Sequence, residues 1–361
     1  MDTITQITLG AAIGELTLGR KVGNKAVLWG GVAGLIPDLD ILPAMLMNPV
    51  QRMAFHRSVT HSLLFAALWA PLMAYFIYRL NRNLPVNWRE WVYLTFWSTV
   101  THPLLDCFTA YGTQLFWPFS RYRIAWNTIF VIDPFYSVPF ALSVLAVLFL
   151  PRTSRKRFWI HRVGLILSTL YLMLTVANKL YVTHQFREQL NAQHIPFTEL
   201  RTGPTPLNNL LWRGVALGTD GFYTGYYTLL NRSDSISFRF TPAHHDWLNP
   251  YRSNPEVQTL LWITGNFYAV EKQNGALFIQ DMRYGRLFGW AAPNAPYIFS
   301  FRLEADSLAS SRHVHLIRVR PPLRFHPAAL KALWYRIQNR SLPDSLQLFS
   351  GSHQSAYFFG G

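Results

Sequence analysis

His61 to Leu80, HSLLFAALWAPLMAYFIYRL, is a run of 20 residues whose one strongly charged side chain, Arg79, stands near its end. A helix needs about 20 apolar residues to cross the hydrocarbon of a bilayer, so this stretch predicts a membrane span. Phe130–Leu150 and Ile160–Tyr181 are of the same kind. Three weaker candidates are Ile4–Leu18, which is short, Ala26–Met47, interrupted by Asp38 and Asp40, and Trp91–Phe108, interrupted by His102 and Asp106. The expected architecture is a mainly α membrane bundle of about six transmembrane helices, uncertain by one, in residues 1–183. A C-terminal α+β soluble domain is expected in residues 184–361.

Composition divides the chain at the same place. Of the 18 acidic residues only 7 lie in residues 1–183, together with all the long apolar runs. The formal charge of +15 does not point to nucleic acid, because the bases of this half sit in short connectors and not along one helix face. Arg20, Lys21 and Lys25, then Arg79, Arg82 and Arg89, then Arg152, Arg155, Lys156, Arg157 and Arg162 mark alternate connectors. Basic loops stay cytoplasmic, so the expected localisation is a multi-pass protein of a bacterial inner membrane with everything after Tyr181 on the extracytoplasmic side. Arg52, Arg57, Arg121 and Arg123 then lie outside. No cleavable signal is expected, since no base precedes Arg20. The single cysteine, Cys107, allows no intramolecular disulfide and reads as a small core residue.

Beyond residue 184 short aromatic and β-branched runs, SISFRF, ALFIQDMRYGRLFGW, YIFSFRL and VHLIRVR, alternate with Gly, Pro and Asn. They predict a mainly antiparallel sheet with a few helices. RTGPTPLNN reads as a connector to it from a preceding helical stretch. His244 to Asp246, and His313 with His315, read as surface features, and Asn231-Arg232-Ser233 matches a glycosylation acceptor without a setting that would use it.

Ionisable groups in or beside membrane spans are costly, and each is a site hypothesis by default. Asp38, Asp40, His56, His61, His102, Asp106 and Asp133 all map to the outer helix ends under this topology, from four separate segments. His102 and Asp106 are four apart and share a helix face. In PDLD the two acids point the same way if the chain is extended, as Pro37 encourages. His56 and His61, five apart, do not share a face; HRSVTHS reads as loop and helix start, capped by Thr60 or Ser58. Each group alone has a bland reading, as a turn or an interfacial histidine. Together, three imidazoles and three or four carboxylates suit zinc, manganese or iron. Asp40, His61, His102 and Asp106 are the first choices as ligands, with Asp38 and His56 completing or orienting the set. Asp133 reads as a helix cap or an outer acceptor.

GLIPDLD, HRSVTHSLLF, HPLLDCFTAYGTQLFWPFS and FVIDPFYSVP together resemble the YdjM-type family of membrane-bound, metal-dependent hydrolases, over roughly residues 1–150. The resemblance implies a helical membrane domain in which Asp38, Asp40, His56, His61, His102 and Asp106 bind one or two divalent ions, most simply zinc. It also implies metal-dependent hydrolysis without naming a substrate. The chain departs from the pattern at Gln6, where similar members carry a histidine, and at Ser58, where they carry glycine.

The loop YGTQLFWPFSRYRIAWN combines Arg121 and Arg123 with Trp117, Tyr122 and Trp126. The aromatics suit an interfacial belt, and the arginines, with Arg57, suit an anionic group such as a phosphate on a lipid-linked substrate. The expectation is phosphoester hydrolysis by metal-bound water, assisted by Asp38 or His56. The competing readings are a transporter or lipid-handling protein that uses the same residues as a proton relay or structural ion, and a mere anchor for the C-terminal domain.

Overall fold

The computed structural model describes residues 1–230, 235–305, 314–321, 327–343 and Leu346. Asn231, Arg232, Ser233 and His313 lie outside the described residues. The chain forms two compact units, one of Met1–Met47, Phe55–Lys179 and Pro206–Asn209, the other of Asn48–Ala54, Leu180–Thr205 and Leu210 onward.

The first unit is helical. Helix α1 (Thr3–Val22) packs on α2 (Asn24–Leu35), and a five-residue 3₁₀ turn, Ile36–Asp40, leads into the short α3 (Ile41–Ala44). After α4 (Pro49–Phe55), of which all but the last residue belongs to the second unit, come α5 (Leu63–Leu80), α6 (Trp88–Asp106), α7 (Pro134–Leu148) and the 38-residue α8 (Arg155–Ala192), which passes into the second unit at Leu180. Ser62, and not Thr60 or Ser58, caps α5 by accepting from the Phe65 amide at 3.0 Å. A full capping box of Asn87 and Glu90 starts α6.

Length and composition support fewer than six crossings. Among the described residues three helical runs are long and apolar enough to span a bilayer: Asn24–Ala44, Leu63–Leu80 and Arg155–Ala192. The other candidates fail for separate reasons. Helix α1 carries Glu15, Arg20 and Lys21, and α6 carries Arg89, Glu90 and Asp106. Helix α7 has only 15 residues, about 22 Å against a hydrocarbon layer of about 30 Å. The stretch expected as Ile160–Tyr181 is the middle of α8.

Two devices hold this unit together. Gly10 and Gly14 of α1 face Gly30 and Gly34 of α2 so closely that a Cβ on Gly14 would stand 2.1 Å from the Ala26 carbonyl oxygen, and one on Gly10 2.4 Å from that of Gly30. Small residues four apart on both helices let the backbones touch, which is how helices associate where water supplies no hydrophobic drive. Ser98 and Thr99 of α6 then donate to the carbonyls of Gly10 and Ala33. The second device is a buried ion pair. Arg157, read from the sequence as a basic connector residue, is 2% exposed, and its guanidinium grips Glu15 through two hydrogen bonds of 2.8 and 2.6 Å. Arg157 also donates to Asn24 Oδ1 and the Leu150 carbonyl, and His161 Nε2 donates to the Ala12 carbonyl.

The second unit holds two four-stranded antiparallel sheets. One runs β1 (Glu199–Pro204), β2 (Leu211–Leu217), β3 (Gly221–Thr228), β4 (Arg239–Pro242), each strand paired with the next. The other runs β5 (Tyr268–Gln273), β6 (Ala276–Asp281), β7 (Ser300–Ala305), β8 (Val314–Val319), in the same sequential order. RTGPTPLNN is therefore no simple connector, since Arg201–Pro204 pair with β2 in register up to Pro204 opposite Trp212. Two helices, α9 (Pro255–Thr264) and α10 (Pro327–Ile337), complete the unit. Val257, Leu260 and Ile263 of α9 pack with Val270, Ile279, Phe301 and Leu316. His245 donates to the Tyr268 carbonyl and His315 contacts Glu256, so neither belongs to a metal cluster.

Replacing Arg157 with Met leaves Glu15 buried without its partner, which costs about 3–5 kcal/mol. The double variant Glu15→Gln with Arg157→Met regains most of that loss, as read by denaturant titration of the protein in detergent micelles.

Candidate metal centre

Four polar atoms from three separate segments meet in the first unit. The 3₁₀ turn supplies Asp38, the short 3₁₀ segment before α5 supplies His61, and α6 supplies His102 and Asp106 from one face. One ligand atom of each lies within 4.8 Å of all the others. Asp38 Oδ1 is 3.5 Å from His61 Nε2 and 3.4 Å from His102 Nε2; Asp106 Oδ2 is 3.4 Å from His61 Nε2 and 3.5 Å from His102 Nε2. These separations exceed ordinary hydrogen-bond lengths. Accordingly both Nε2 atoms and Asp106 Oδ2 are buried without a hydrogen-bond partner. Buried polar atoms are rarely left so, and each instance calls for an explanation.

A divalent cation explains it. A cation with bonds of about 2.1 Å in tetrahedral geometry sets its ligand atoms about 3.4 Å apart, and the four imidazole–carboxylate separations match that spacing, with the remaining two pairs within 4.8 Å. The donor set fits as well, being imidazole and carboxylate with no thiolate. His61, His102 and Asp106 are 0–1% exposed, whereas the Asp38 side chain is 21% exposed and forms the open edge.

The surroundings fix each donor. His102 Nδ1 donates to the Gly34 carbonyl at 2.6 Å, which assigns the tautomer and leaves the Nε2 lone pair facing the other three atoms. The same role for His61 falls to Thr60, whose hydroxyl is 3.1 Å from His61 Nδ1 and 3.4 Å from Asp40 Oδ2. Asp40 stands one layer out. It accepts from His56 Nδ1 and from the Arg57 amide, both at 2.9 Å, and its Oδ2 is 3.5 Å from His61 Nδ1. The reason is local: PDLD is a 3₁₀ turn and not extended, so residues two apart are turned about 240° from each other and Asp38 and Asp40 face different ways.

Asp106 Oδ1 accepts from Gln6 Nε2 at 2.9 Å and from the Met1 amino group, so Gln6 reaches the site as an amide donor. Arg57, in a left-handed conformation at φ 62°, is buried. Its Nε lies 3.0 Å from Asp106 Oδ2 and its Nη1 donates to Thr109 at 2.7 Å. The guanidiniums of Arg57 and Arg123 stand 5.3 and 5.0 Å from the centre of the Tyr111 ring, with His56 edge-on at 5.2 Å. Arg123 is half-buried and donates to the Gly112 carbonyl, while Arg121 is exposed in the same loop as the exposed Phe119 and Tyr122. Asp133 stays out of the cluster: it caps α7 and accepts from Tyr171. Cys107 is fully buried and bonds the Pro103 carbonyl.

Gly34, Thr109 and Tyr111 are the parts of this site that residue chemistry did not single out, and Gln6 stood out only as a departure from the family pattern. Only the glycines had a legible signal, the paired small residues four apart at Gly10, Gly14, Gly30 and Gly34.

A family model described as YdjM inner membrane protein matches residues 1–182. The uncharacterized protein YfhP of Bacillus subtilis (strain 168) is 30% identical over 194 residues, which are 50% of this chain and 57% of that protein. The inner membrane protein YbcI of Escherichia coli (strain K12) is 35% identical over 145 residues, 39% of this chain and 78% of that protein. No solved structure matches.

Because Asp40 orients His61 without reaching the cluster, Asp40→Asn weakens metal affinity by about 10–100-fold without abolishing it, as measured by competition with a fluorescent zinc chelator.

Proposed function

The chain belongs to the YdjM inner membrane protein family, and we propose that it is a metal-dependent hydrolase of that membrane acting on a phosphoester. One observation carries the reading: four donor atoms within 4.8 Å of one another, three of them buried without hydrogen-bond partners, with each imidazole nitrogen 3.4–3.5 Å from both carboxylates. That spacing favours a single zinc ion over six-coordinate magnesium or calcium, with manganese and iron as the alternatives. When bound, the ion supplies a Lewis acid and a water acidic enough to ionise near neutral pH.

The residues divide the work by burial. His61, His102 and Asp106 are the fixed holders, since each is locked by the fold and shut off from solvent. Asp38 is the holder at the open edge, and its carboxylate is the group placed to accept a proton from water arriving there. Arg57 balances the charge of Asp106 and is too enclosed to serve as an open phosphate clamp. That task falls to Arg121 and Arg123. We place the basic connectors in the cytoplasm, which puts this site and the second unit on the extracytoplasmic side.

A second reading draws on the same geometry. Four protein ligands close a tetrahedron, as structural zinc sites do, so the ion would then fasten the PDLD turn, the start of α5 and the end of α6 without turnover.

Elemental analysis joined to a phosphodiesterase assay with bis-p-nitrophenyl phosphate separates the readings. Wild type carries about one zinc per chain, His61→Ala and Asp106→Ala lose most of it, and turnover falls in step with occupancy. Metal-loaded protein without turnover, whose melting temperature collapses when the ion is stripped, establishes the structural reading. Equally little metal in wild type and both variants ends both.

A further inference from the structure

The second unit contains a cavity of about 530 Å³ that takes no part in the reading above. That volume lies within the range of small-molecule sites. Its wall brings together Arg213 of β2, Tyr226 of β3, Arg239 of β4, Arg286 and Tyr297 from the segment between β6 and β7, and Arg336 of α10. No aspartate or glutamate is among the described residues that line it.

Neutral groups hold most of these guanidiniums. Arg213 donates to the carbonyls of Arg283 and Met282 at 3.1 and 2.9 Å, and Arg239 donates to the Pro293 carbonyl and Asn294 Oδ1, both at 3.1 Å. Arg286 donates to the Ala295 carbonyl at 2.9 Å and pairs at 3.2 Å with Glu271, which does not line the cavity. Carbonyls orient a guanidinium without cancelling its charge, so the cavity keeps a positive excess. Burial lowers the Arg213 pKa, but a guanidinium starts so far above neutrality that it stays charged. Enclosed clefts lined by one sign of charge concentrate the opposite ion.

The wall is also built to leave room for these heads. Gly285 sits at φ 72°, and a Cβ there would stand 2.6 Å from Arg213 Cζ; a Cβ on Gly289 would stand 2.6 Å from the Tyr226 hydroxyl. The Arg336 Nε and Trp290 Nε1 donors are buried and unpaired. Donors in excess, with no acid among them, call for an acceptor-rich ligand.

We propose that this cavity binds the phosphate ester of a hydroxylated compound, the guanidiniums of Arg213, Arg239, Arg286 and Arg336 taking the phosphate and the hydroxyls of Tyr226, Thr224 and Thr241 the remainder. Three guanidiniums for which no acid partner is found among the described residues, with Arg286 shared with Glu271, exceed what a single carboxylate needs and suit a dianion. The assignment is independent of the metal centre.

The test titrates the full-length protein in phosphatidylcholine nanodiscs by calorimetry with glucose 1-phosphate and with glucose. The ester binds saturably and glucose does not. Arg239→Gln with Arg336→Gln lowers the affinity by about tenfold or more, the corresponding double lysine variant restores part of it, and Arg302→Gln, an exposed arginine outside the cavity, changes nothing. Binding persists in protein stripped of metal with EDTA. Competition by phosphatidylglycerol in the discs assigns the ester to a lipid headgroup, and its absence assigns it to a soluble compound. Failure of the ester to bind, equal binding by the double glutamine variant, or loss on stripping the metal overturns the proposal.

Discussion

Charge that has left water must be matched nearby, and in this chain the matching is done by converging side chains. Asp38 and Asp106 carry two negative charges into a helical unit, and His61 and His102 add none when they bind a cation through Nε2 as neutral rings. A divalent cation would bring that group to zero. Around it Arg57 and Asp40 supply one charge of each sign, so neutrality extends through the next layer. The Arg157–Glu15 pair repeats the principle elsewhere in the same unit, where α8 meets α1.

Because neutrality is collective, each donor depends on the segments that deliver the others. The His102 ring is aimed by a carbonyl of α2, and α2 can bring that carbonyl close because its own contact with α1 is glycine against glycine. Asp38 arrives on a turn that continues α2. The metal centre is thus a property of the packing of α1, α2 and α6, with His61 added by the segment that opens α5.

Much of this could be read from residue types. His102 and Asp106 are four apart in an apolar stretch, and helical periodicity alone puts them on one face. What could not be read follows from contacts at long range or from neutral groups. Whether Asp38 or Asp40 turns inward depends on a 3₁₀ geometry that PDLD does not announce, since proline is equally at home at the start of a helical turn. Arg157 finds Glu15 across 142 positions, so it passes in sequence for one more base in a basic connector. Helices α1 and α6 were counted as crossings from their apolar content, and their acids and bases limit them. Strands β1 to β3 went unread because Gly203, Gly214 and Gly225 break the aromatic and β-branched runs that usually mark strands.

The glycine contact between α1 and α2 carries an evolutionary corollary. Positions 10, 14, 30 and 34 bear no chemistry, yet a methyl group at any of them would collide with backbone on the facing helix. Homologues that keep the imidazole at position 102 in this pose are therefore bound to keep those four positions bare, while the exposed Ile4, Leu16 and Leu28 of the same two helices are at liberty to drift.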